Sequence, residues 1–345
     1  MIRTGICSYG MSGKLFHAPF IQNHPGFELA AIVERSRSES RERYPDSKLY
    51  RSVEEMLDDE SLQLIIVNTP VQTHYEYAMK AIEAGRHVIV EKPFTVTVKE
   101  AEELVRRAEE KNVLLFVYQN RRYDGDYKSV REVLEKKLLG EIKEVEIRFD
   151  RFRTGISPKL HKESAIPGAG TTYDLGAHLV DQALQLFGEP KSLFADLVAM
   201  REGSQVDDYF EIILYYPSFR VRLKGSSFAK MPVPEYILHG TKGTFLQQRS
   251  DMQEALLLNG IQPSIQSWYS QPTQPDGVLN IIQDGKEEKR ETTSTAGNYM
   301  NYFEDVDRAI RGMAPNPVPG TDGVRIIRIL EAAKQSANER RVVDF

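Results

Sequence analysis

A two-domain α/β protein is predicted, with a doubly wound parallel sheet first and an α+β domain built on a large, mainly antiparallel sheet after it. Three observations carry that prediction. Short Val/Ile-rich runs alternate with helical segments through the first third of the chain, a turn of small residues follows the first run, and beyond about residue 121 longer strands of alternating polarity take over. A chain of 345 residues has room for two packed cores. The change of pattern puts the domains at 1–120 and 121–345.

In the first domain "IRTGICSY", "FELAAIVE", "LQLIIVNTP", "HVIVEKP" and "VLLFVYQ" read as strands buried on both faces. The segment "VQTHYEYAMKAIEAG" reads as a helix with an apolar stripe of Tyr75, Ala78, Met79 and Ile82, stopped by Gly85. A second helix, in "TVTVKEAEELVRRAEEKN", has Thr97 as its cap ahead of Glu100 and a stripe of Ala101, Leu104, Val105 and Ala108. Repeated βα units of this length wind a parallel sheet, and such sheets bind ligands at the carboxyl ends of their strands.

In the second domain "IKEVEIRFDRF" sets Val145, Ile147 and Phe149 against Glu144, Glu146 and Arg148, the pattern of an antiparallel strand with one wetted face. The segments "SLFADLVAMRE", "DDYFEIILYYP", "FRVRLKGSSF" and "PEYILHG" continue the sheet. The stretch "QPSIQSWYSQPTQPDG" reads as a loop, and helices near 299–311 and 322–338 close the chain.

Composition narrows the function classes. A net charge of -5 offers no basic footprint for nucleic acid, and 41% hydrophobic residues is an ordinary globular value. One cysteine, Cys7, cannot make an internal disulfide; the start "MIRTGICSYG" is unlike a signal peptide, and the apolar runs are too short to span a bilayer. A cytoplasmic protein without membrane partners is the expectation. The seven histidines show no metal-ligand spacing, so no metal is expected.

The turn "GICSYGMSGKLFHAPF" is the cofactor signal. A dinucleotide fold needs small residues there so that the backbone turns sharply and the pyrophosphate approaches its amides. Gly10 and Gly13 supply the last two positions of Gly-x-Gly-x-x-Gly, while Ser8 stands at the first. Glu34, about twenty residues on at the end of the second strand, can accept from the adenosine ribose and tips the reading towards NAD; Arg35 and Arg37 can hold a 2'-phosphate, which keeps NADP open. In "VIVEKPF" a strand ends in Lys92, and Pro93 restrains that lysine to an extended backbone at the cofactor edge. The Lys92–Pro93 bond is a candidate cis peptide.

Four pieces, "SYGMSGKLFHAPF", "VNTPVQTHYEYAMKAIEAGRHVIVEKPF", "YQNRRYDGDY" and "GTTYDLGAHLVDQALQLFG", resemble the Gfo/Idh/MocA oxidoreductase family in its order across most of the chain. The last two look most like the branch containing NADP-dependent scyllo-inositol dehydrogenase. The resemblance implies an NAD(P)-dependent dehydrogenase acting on a secondary alcohol of a sugar, cyclitol or polyol, on a Rossmann domain and an α+β substrate and oligomerisation domain. It carries over Lys92, Asp174 and His178 as catalytic positions. It further implies cofactor contacts at Thr69, Pro70 and Glu91 as well as Ser8 and Lys92, and a substrate pocket drawing on Asn120, Arg122, Tyr123 and Tyr173, with His161 a further candidate. It also implies a homodimer or homotetramer, whose broad sheet is an apolar surface needing cover. A second reading, a non-catalytic dinucleotide- or sugar-sensing regulator on the same fold, is opposed by the retention of Lys92, Asp174 and His178.

The chemistry of those three residue types agrees. Oxidising an alcohol takes a proton from oxygen and a hydride from carbon, so it needs a base near neutral pH and a positive group beside the developing alkoxide. Imidazole, titrating near about 6.5, suits the first task and an ammonium the second. If "YDLGAHLVDQALQLFG" is one α-helix, Asp174 and His178 share a face opposite Leu175, Leu179 and Leu186. Asp174 could then orient the imidazole, hold Lys92 charged, or meet the substrate.

Overall fold

The computed structural model describes every residue except 158–162, 267 and 269–271. The chain divides into two compact units, one of Met1–Asn120, Met252–Tyr269 and Asn298–Ile327, the other of Arg121–Asp251, Ser270–Gly297 and Arg328–Phe345.

The first unit is built on six parallel strands, β1 (Ile2–Ile6), β2 (Phe27–Val33), β3 (Lys48–Tyr50), β4 (Leu64–Val67), β5 (His87–Val90) and β6 (Leu115–Val117). Their order is β3-β2-β1-β4-β5-β6, the Rossmann order, whose direction of winding reverses between β1 and β4. Ile6, Ile32, Ile65, Ile66, Val88 and Ile89 are almost wholly buried, as helices on both faces require. β3 has no counterpart among the predicted strands because it is three residues long and buries only Tyr50, too little for a pattern to form.

Helix α1 (Ala18–Asn23) follows the first turn, α2 (His74–Glu83) lies between β4 and β5, and α3 (Val98–Glu110) between β5 and β6. The buried face of α2 is His74, Ala78, Ala81 and Ile82. Tyr75 and Met79, expected on that face, are only half-buried, because the imidazole of His74 turns inward to meet backbone carbonyls. Gly85 stops the helix at φ +73°. In α3 the Thr97 hydroxyl accepts from Glu100 N at 3.2 Å and the Glu100 carboxylate accepts from Thr97 N at 3.0 Å, a reciprocal capping box. Thr97→Ala is expected to lower the unfolding free energy by about 1 kcal/mol, read as a shifted urea midpoint at constant slope.

Segments 252–269 and 298–327, read from sequence as part of the second domain, pack with the first unit instead. Aromatic packing explains why. In α4 (Met300–Ile310) Phe303 stacks on Phe20 at 5.2 Å, and Tyr302 meets Tyr118 at 5.0 Å while donating to Val117 O at 3.1 Å. Val117 N in turn donates to Val318 O at 2.9 Å. The returning chain thus satisfies the otherwise open edge of β6.

The second unit carries a nine-stranded sheet of β7 (Ile142–Arg148), β8 (Ser192–Val198), β9 (Tyr209–Tyr215), β10 (Arg220–Ser226), β11 (Tyr236–Gly240), β12 (Gly243–Gln247), β13 (Gly277–Gln283), β14 (Lys286–Thr292) and β15 (Val343–Asp344), ordered β14-β13-β12-β11-β7-β10-β9-β8-β15. All adjacent pairs are antiparallel except β7 with β10, which is parallel; expecting β7 to be antiparallel throughout was wrong on that side. Its alternation is as expected, with Val145 and Ile147 buried. One face buries Ile212, Leu214, Leu223, Leu238 and Phe245. The other is not the apolar surface expected, since Arg148 pairs with Glu146 at 2.6 Å and Arg222 with Glu211 at 3.2 Å beside Tyr209, Ile213 and Tyr215. No helix among the described residues is long and apolar enough to cross a membrane.

Candidate active site

At the carboxyl end of β1 the chain turns through Ser8, Gly10 and Gly13. A side chain is excluded at Gly13, where a Cβ would lie 2.2 Å from Ser8 O and 3.1 Å from Asn68 Nδ2. At Gly10 a Cβ would meet only Ser8 Oγ, at 3.5 Å, so the backbone there is open to an approaching group. Ser8 Oγ accepts from Gly10 N at 3.3 Å, and Asn68 Nδ2 donates to Ser8 O at 2.8 Å. Ser8 therefore shapes the turn with its hydroxyl where a glycine is usual. Asn68, beyond the last residue of β4, was not singled out from sequence. These features fit a dinucleotide: a bare backbone at a helix start, at the point where the sheet's winding reverses. The helix begins with a π turn, Gly13–His17, of the kind that recurs at functional sites.

Lys92 lies two residues beyond β5 on the same edge of the sheet, and the Lys92–Pro93 peptide is cis. Glu91 beside it is 8% exposed. Its carboxylate accepts from Ser12 Oγ at 2.6 Å, from Lys92 N at 3.0 Å and meets His17 Nε2 at 2.8 Å. Burial pushes this carboxyl up, but the His17 hydrogen bond and charge, with Ser12 and Lys92, outweigh it and hold the pKa at about 2. Glu91 thereby links the turn after β1, through Ser12 and His17, to the backbone of Lys92. The turn after β4 is tied locally, with Thr69 Oγ1 2.7 Å from Thr73 Oγ1 and Thr73 N donating to Pro70 O at 2.9 Å.

At the end of β2, Glu34 is 8% exposed. Its carboxylate accepts from Glu39 N at 3.1 Å, Ser40 N at 2.9 Å and Ser40 Oγ at 2.5 Å. Arg35 and Arg37 are exposed on the loop between. Arg51 braces that loop by donating to Glu34 O at 2.9 Å and to Ser38 Oγ at 3.0 Å.

In the second unit a π turn, Thr172–Gly176, leads into α5 (Ala177–Phe187). Asp174 lies in the π turn and His178 in the α-helix, so the stacked face of one continuous α-helix is not what forms. His178 is 4% exposed, and Leu175 and Leu179 are buried as well, at 4% and 1%. Asp174 lies 3.7 Å from Arg151, with its side chain 27% exposed. Arg151 is a neighbour that pattern reading missed, since nothing local marks it. Asp207 accepts from Thr172 N at 2.6 Å and Thr172 Oγ1 at 2.7 Å, which holds the π turn in place.

Tyr173 is buried, Tyr123 half-buried, and Asn120, in the first unit, 7% exposed. Arg122 grips Asp181 with Nε 2.9 Å from Oδ2 and Nη2 on Oδ1, an almost fully buried bidentate pair. His161 lies outside the described residues. Among the described residues no cluster of His, Cys, Asp and Glu could hold a metal.

Comparison with known proteins gives a family and its relatives. An oxidoreductase family with an NAD-binding Rossmann fold, Gfo/Idh/MocA, matches residues 2–119, and its C-terminal alpha/beta domain matches residues 131–345. The chain is 36% identical over 343 residues to scyllo-inositol 2-dehydrogenase (NADP(+)) IolW of Bacillus subtilis, covering 99% of this chain and 95% of that protein. It is 28% identical over 193 residues to D-glucoside 3-dehydrogenase of Escherichia coli, 55% of each chain. A crystal structure from Bacteroides fragilis has a TM-score of 0.90 at 43% identity, with 100% of both chains covered.

Proposed function

Because this chain belongs to the Gfo/Idh/MocA oxidoreductase family and is an NAD(P)-dependent dehydrogenase, we propose that it moves a hydride between NADP(H) and a secondary alcohol of a cyclitol, sugar or related polyol. The observation that carries the substrate class is the match along nearly the whole chain to an inositol dehydrogenase. A bound nicotinamide supplies the ring carbon that takes up or gives back the hydride.

The protein's own groups then have distinct tasks. The turn of Ser8, Gly10 and Gly13 binds the pyrophosphate, and Thr69, Pro70 and the Lys92 backbone line the nicotinamide side. The Lys92 ammonium stabilises negative charge developing on the substrate oxygen. His178 takes the hydroxyl proton in oxidation and returns it in reduction. Asp174, beside Arg151, binds a substrate hydroxyl, with Tyr173, Tyr123 and Asn120 as further polar contacts. A polyol needs such a fan of groups, because each hydroxyl left unpaired in a dry pocket costs about 1–3 kcal/mol. Glu91 acts by holding Lys92 in place. Arg122, committed to Asp181, shapes the pocket rather than meeting substrate directly.

Coenzyme choice follows from the end of β2. The Glu34 carboxylate is occupied by two backbone amides and the Ser40 hydroxyl, which supports turning the reading from NAD to NADP, with the exposed Arg35 as the 2'-phosphate ligand. Arg35→Ala is expected to weaken NADPH binding by about tenfold and leave NADH nearly unchanged, measured by titrating coenzyme fluorescence. The mixed charged and aromatic face of the nine-stranded sheet supports a homodimer or homotetramer; light scattering that returned the mass of one chain would remove that part of the proposal.

The function as a whole is tested by following nicotinamide absorbance while inositols, other cyclitols and sugars are offered with each coenzyme. Turnover of scyllo-inositol or a close polyol with NADP+ is expected. Activity confined to substrates without vicinal hydroxyls would overturn the substrate class.

A further inference from the structure

His74, the first residue of α2, is 1% exposed and touches both turns that shape the cofactor edge of the first unit. Its Nε2 lies 2.8 Å from Thr69 O, in the turn after β4. Its Nδ1 lies 2.9 Å from Pro93 O and 3.3 Å from Phe94 O, just after β5. One ring thus spans two loops that the sheet leaves unconnected beyond the last β4–β5 pairing, Val67 with Val90.

We propose that His74 is a positioning residue, which ties the Thr69–Pro70 turn to the Lys92–Pro93 corner and so fixes the backbone from which Lys92 projects. The inference rests on the reading of Lys92 as the group that acts on the substrate oxygen. Pairing of both nitrogens is what burial demands of any histidine; what sets His74 apart is that its two nitrogens face carbonyls of two different loops. Burial lowers the pKa of the ring, against the raising pull of the Thr69 carbonyl, the Glu91 charge and the Pro93 and Phe94 carbonyls. Both partners are carbonyl oxygens, which only accept, so with one ring proton His74 donates to one loop and sets two acceptors against each other at the second; with two ring protons it donates to each loop.

The packing around the corner leaves the tie little slack. Phe94 is 1% exposed, and a Cβ at Gly323 would lie 2.4 Å from its ring, so the residue after Pro93 is closely packed on a second segment. Glu91 accepts from Lys92 N besides. These contacts keep the Lys92 side of the corner packed when His74 is removed, so the tie to the Thr69 turn is what its removal loses.

Two variants test the proposal on the full-length protein. His74→Phe keeps the ring's bulk and removes both nitrogens; His74→Gln can reach one loop but not both. Amide hydrogen exchange is compared in segments 69–73 and 91–95, against α3 as an internal reference. Exchange at least about tenfold faster in both segments, with α3 unchanged, is expected for His74→Phe. For His74→Gln faster exchange is expected in one segment only. Should the phenylalanine variant fail to fold, one-sided loosening in the glutamine variant decides the matter. Protection unchanged in both segments of the folded variants, or lost uniformly across the first unit, overturns the tie.

Catalysis gives a second readout. With scyllo-inositol and NADP+ as probes, His74→Phe is expected to lower kcat by about tenfold or more at nearly constant KM, and to raise the deuterium isotope effect as hydride transfer becomes slower than release. A merely less stable protein would also lose kcat at constant KM, through lost active fraction, but would leave the isotope effect unchanged. The exchange comparison needs no substrate, so it stands if scyllo-inositol is not turned over. If Lys92→Ala were fully active while the loops still loosened together, the role of Lys92 would fail and the tie itself would survive.

Discussion

Lys92→Ala is expected to lower kcat by about a hundred- to a thousandfold while NADPH binds within about threefold of its normal affinity. The reasoning is electrostatic. An ammonium beside the substrate oxygen matters most when that oxygen carries charge, in the transition state, so its loss falls on kcat and little on ground-state binding. His178→Asn keeps a polar group of similar size and removes the base, with an expected loss of about a hundredfold or more. The double variant is expected to lose less than the product of the two, because proton removal and alkoxide stabilisation serve one step. Stopped-flow reduction of NADP+ by scyllo-inositol, with circular dichroism to establish folding, separates these outcomes. Turnover within a few-fold of normal in either single variant would strip that residue of its role.

Glu91 carries the second large effect, this time on stability. Its carboxyl is held at about 2 against an ordinary 4.5, burial opposing and His17, Ser12 and Lys92 prevailing. A carboxyl with a lower pKa in the folded than in the unfolded chain contributes stability above its unfolded value and loses it as pH falls towards the folded one. The contribution is about 3 kcal/mol, present above about pH 4.5 and lost on descending to about pH 2. Urea unfolding at several pH values is expected to show that acid loss in the natural protein and a much shallower one in Glu91→Gln. The variant should also be less stable near neutral pH, because a neutral amide at this position leaves a buried imidazole and hydroxyl poorly matched. Equal slopes against pH in the two proteins would mean that Glu91 is not the group whose ionisation supports the fold.

Much of the fold was legible because the signals are local. Continuous Val/Ile runs mark strands covered on both faces, as at Ile65–Ile66 and Val88–Ile89, and Thr97 with Glu100 announces the start of α3 within four residues. Of the strands that escaped notice, β13 did carry an alternating signal, in Leu279 and Ile281 of "GVLNIIQ", whereas β14 lacked one. β14 reads "KEEKRET", an exposed edge strand whose charges discourage further pairing but spell no apolar pattern. The α2 stripe was displaced for a related reason, since a histidine scored as polar turned inward to meet carbonyls.

By itself the sequence determined the alternation that winds the first sheet, the small-residue turn after β1 and a lysine held by proline at the carboxyl edge, because each depends on residues adjacent in the chain. Only the tertiary structure decided what those residues touch. Glu91 meets His17 across 74 positions and Ser12 across 79, Arg122 meets Asp181 across 59, and the ring of His74 closes on carbonyls 5 and 19 residues away on opposite sides of it. Glu34, free to meet a ribose when read as a strand end, is taken up by the amides of Glu39 and Ser40 once the chain turns back. Periodicity reports which side of an element is dry; the partner that a buried polar atom finds there depends on which distant segment the topology brings up to it, and hydrogen-bond geometry then selects among the groups on offer.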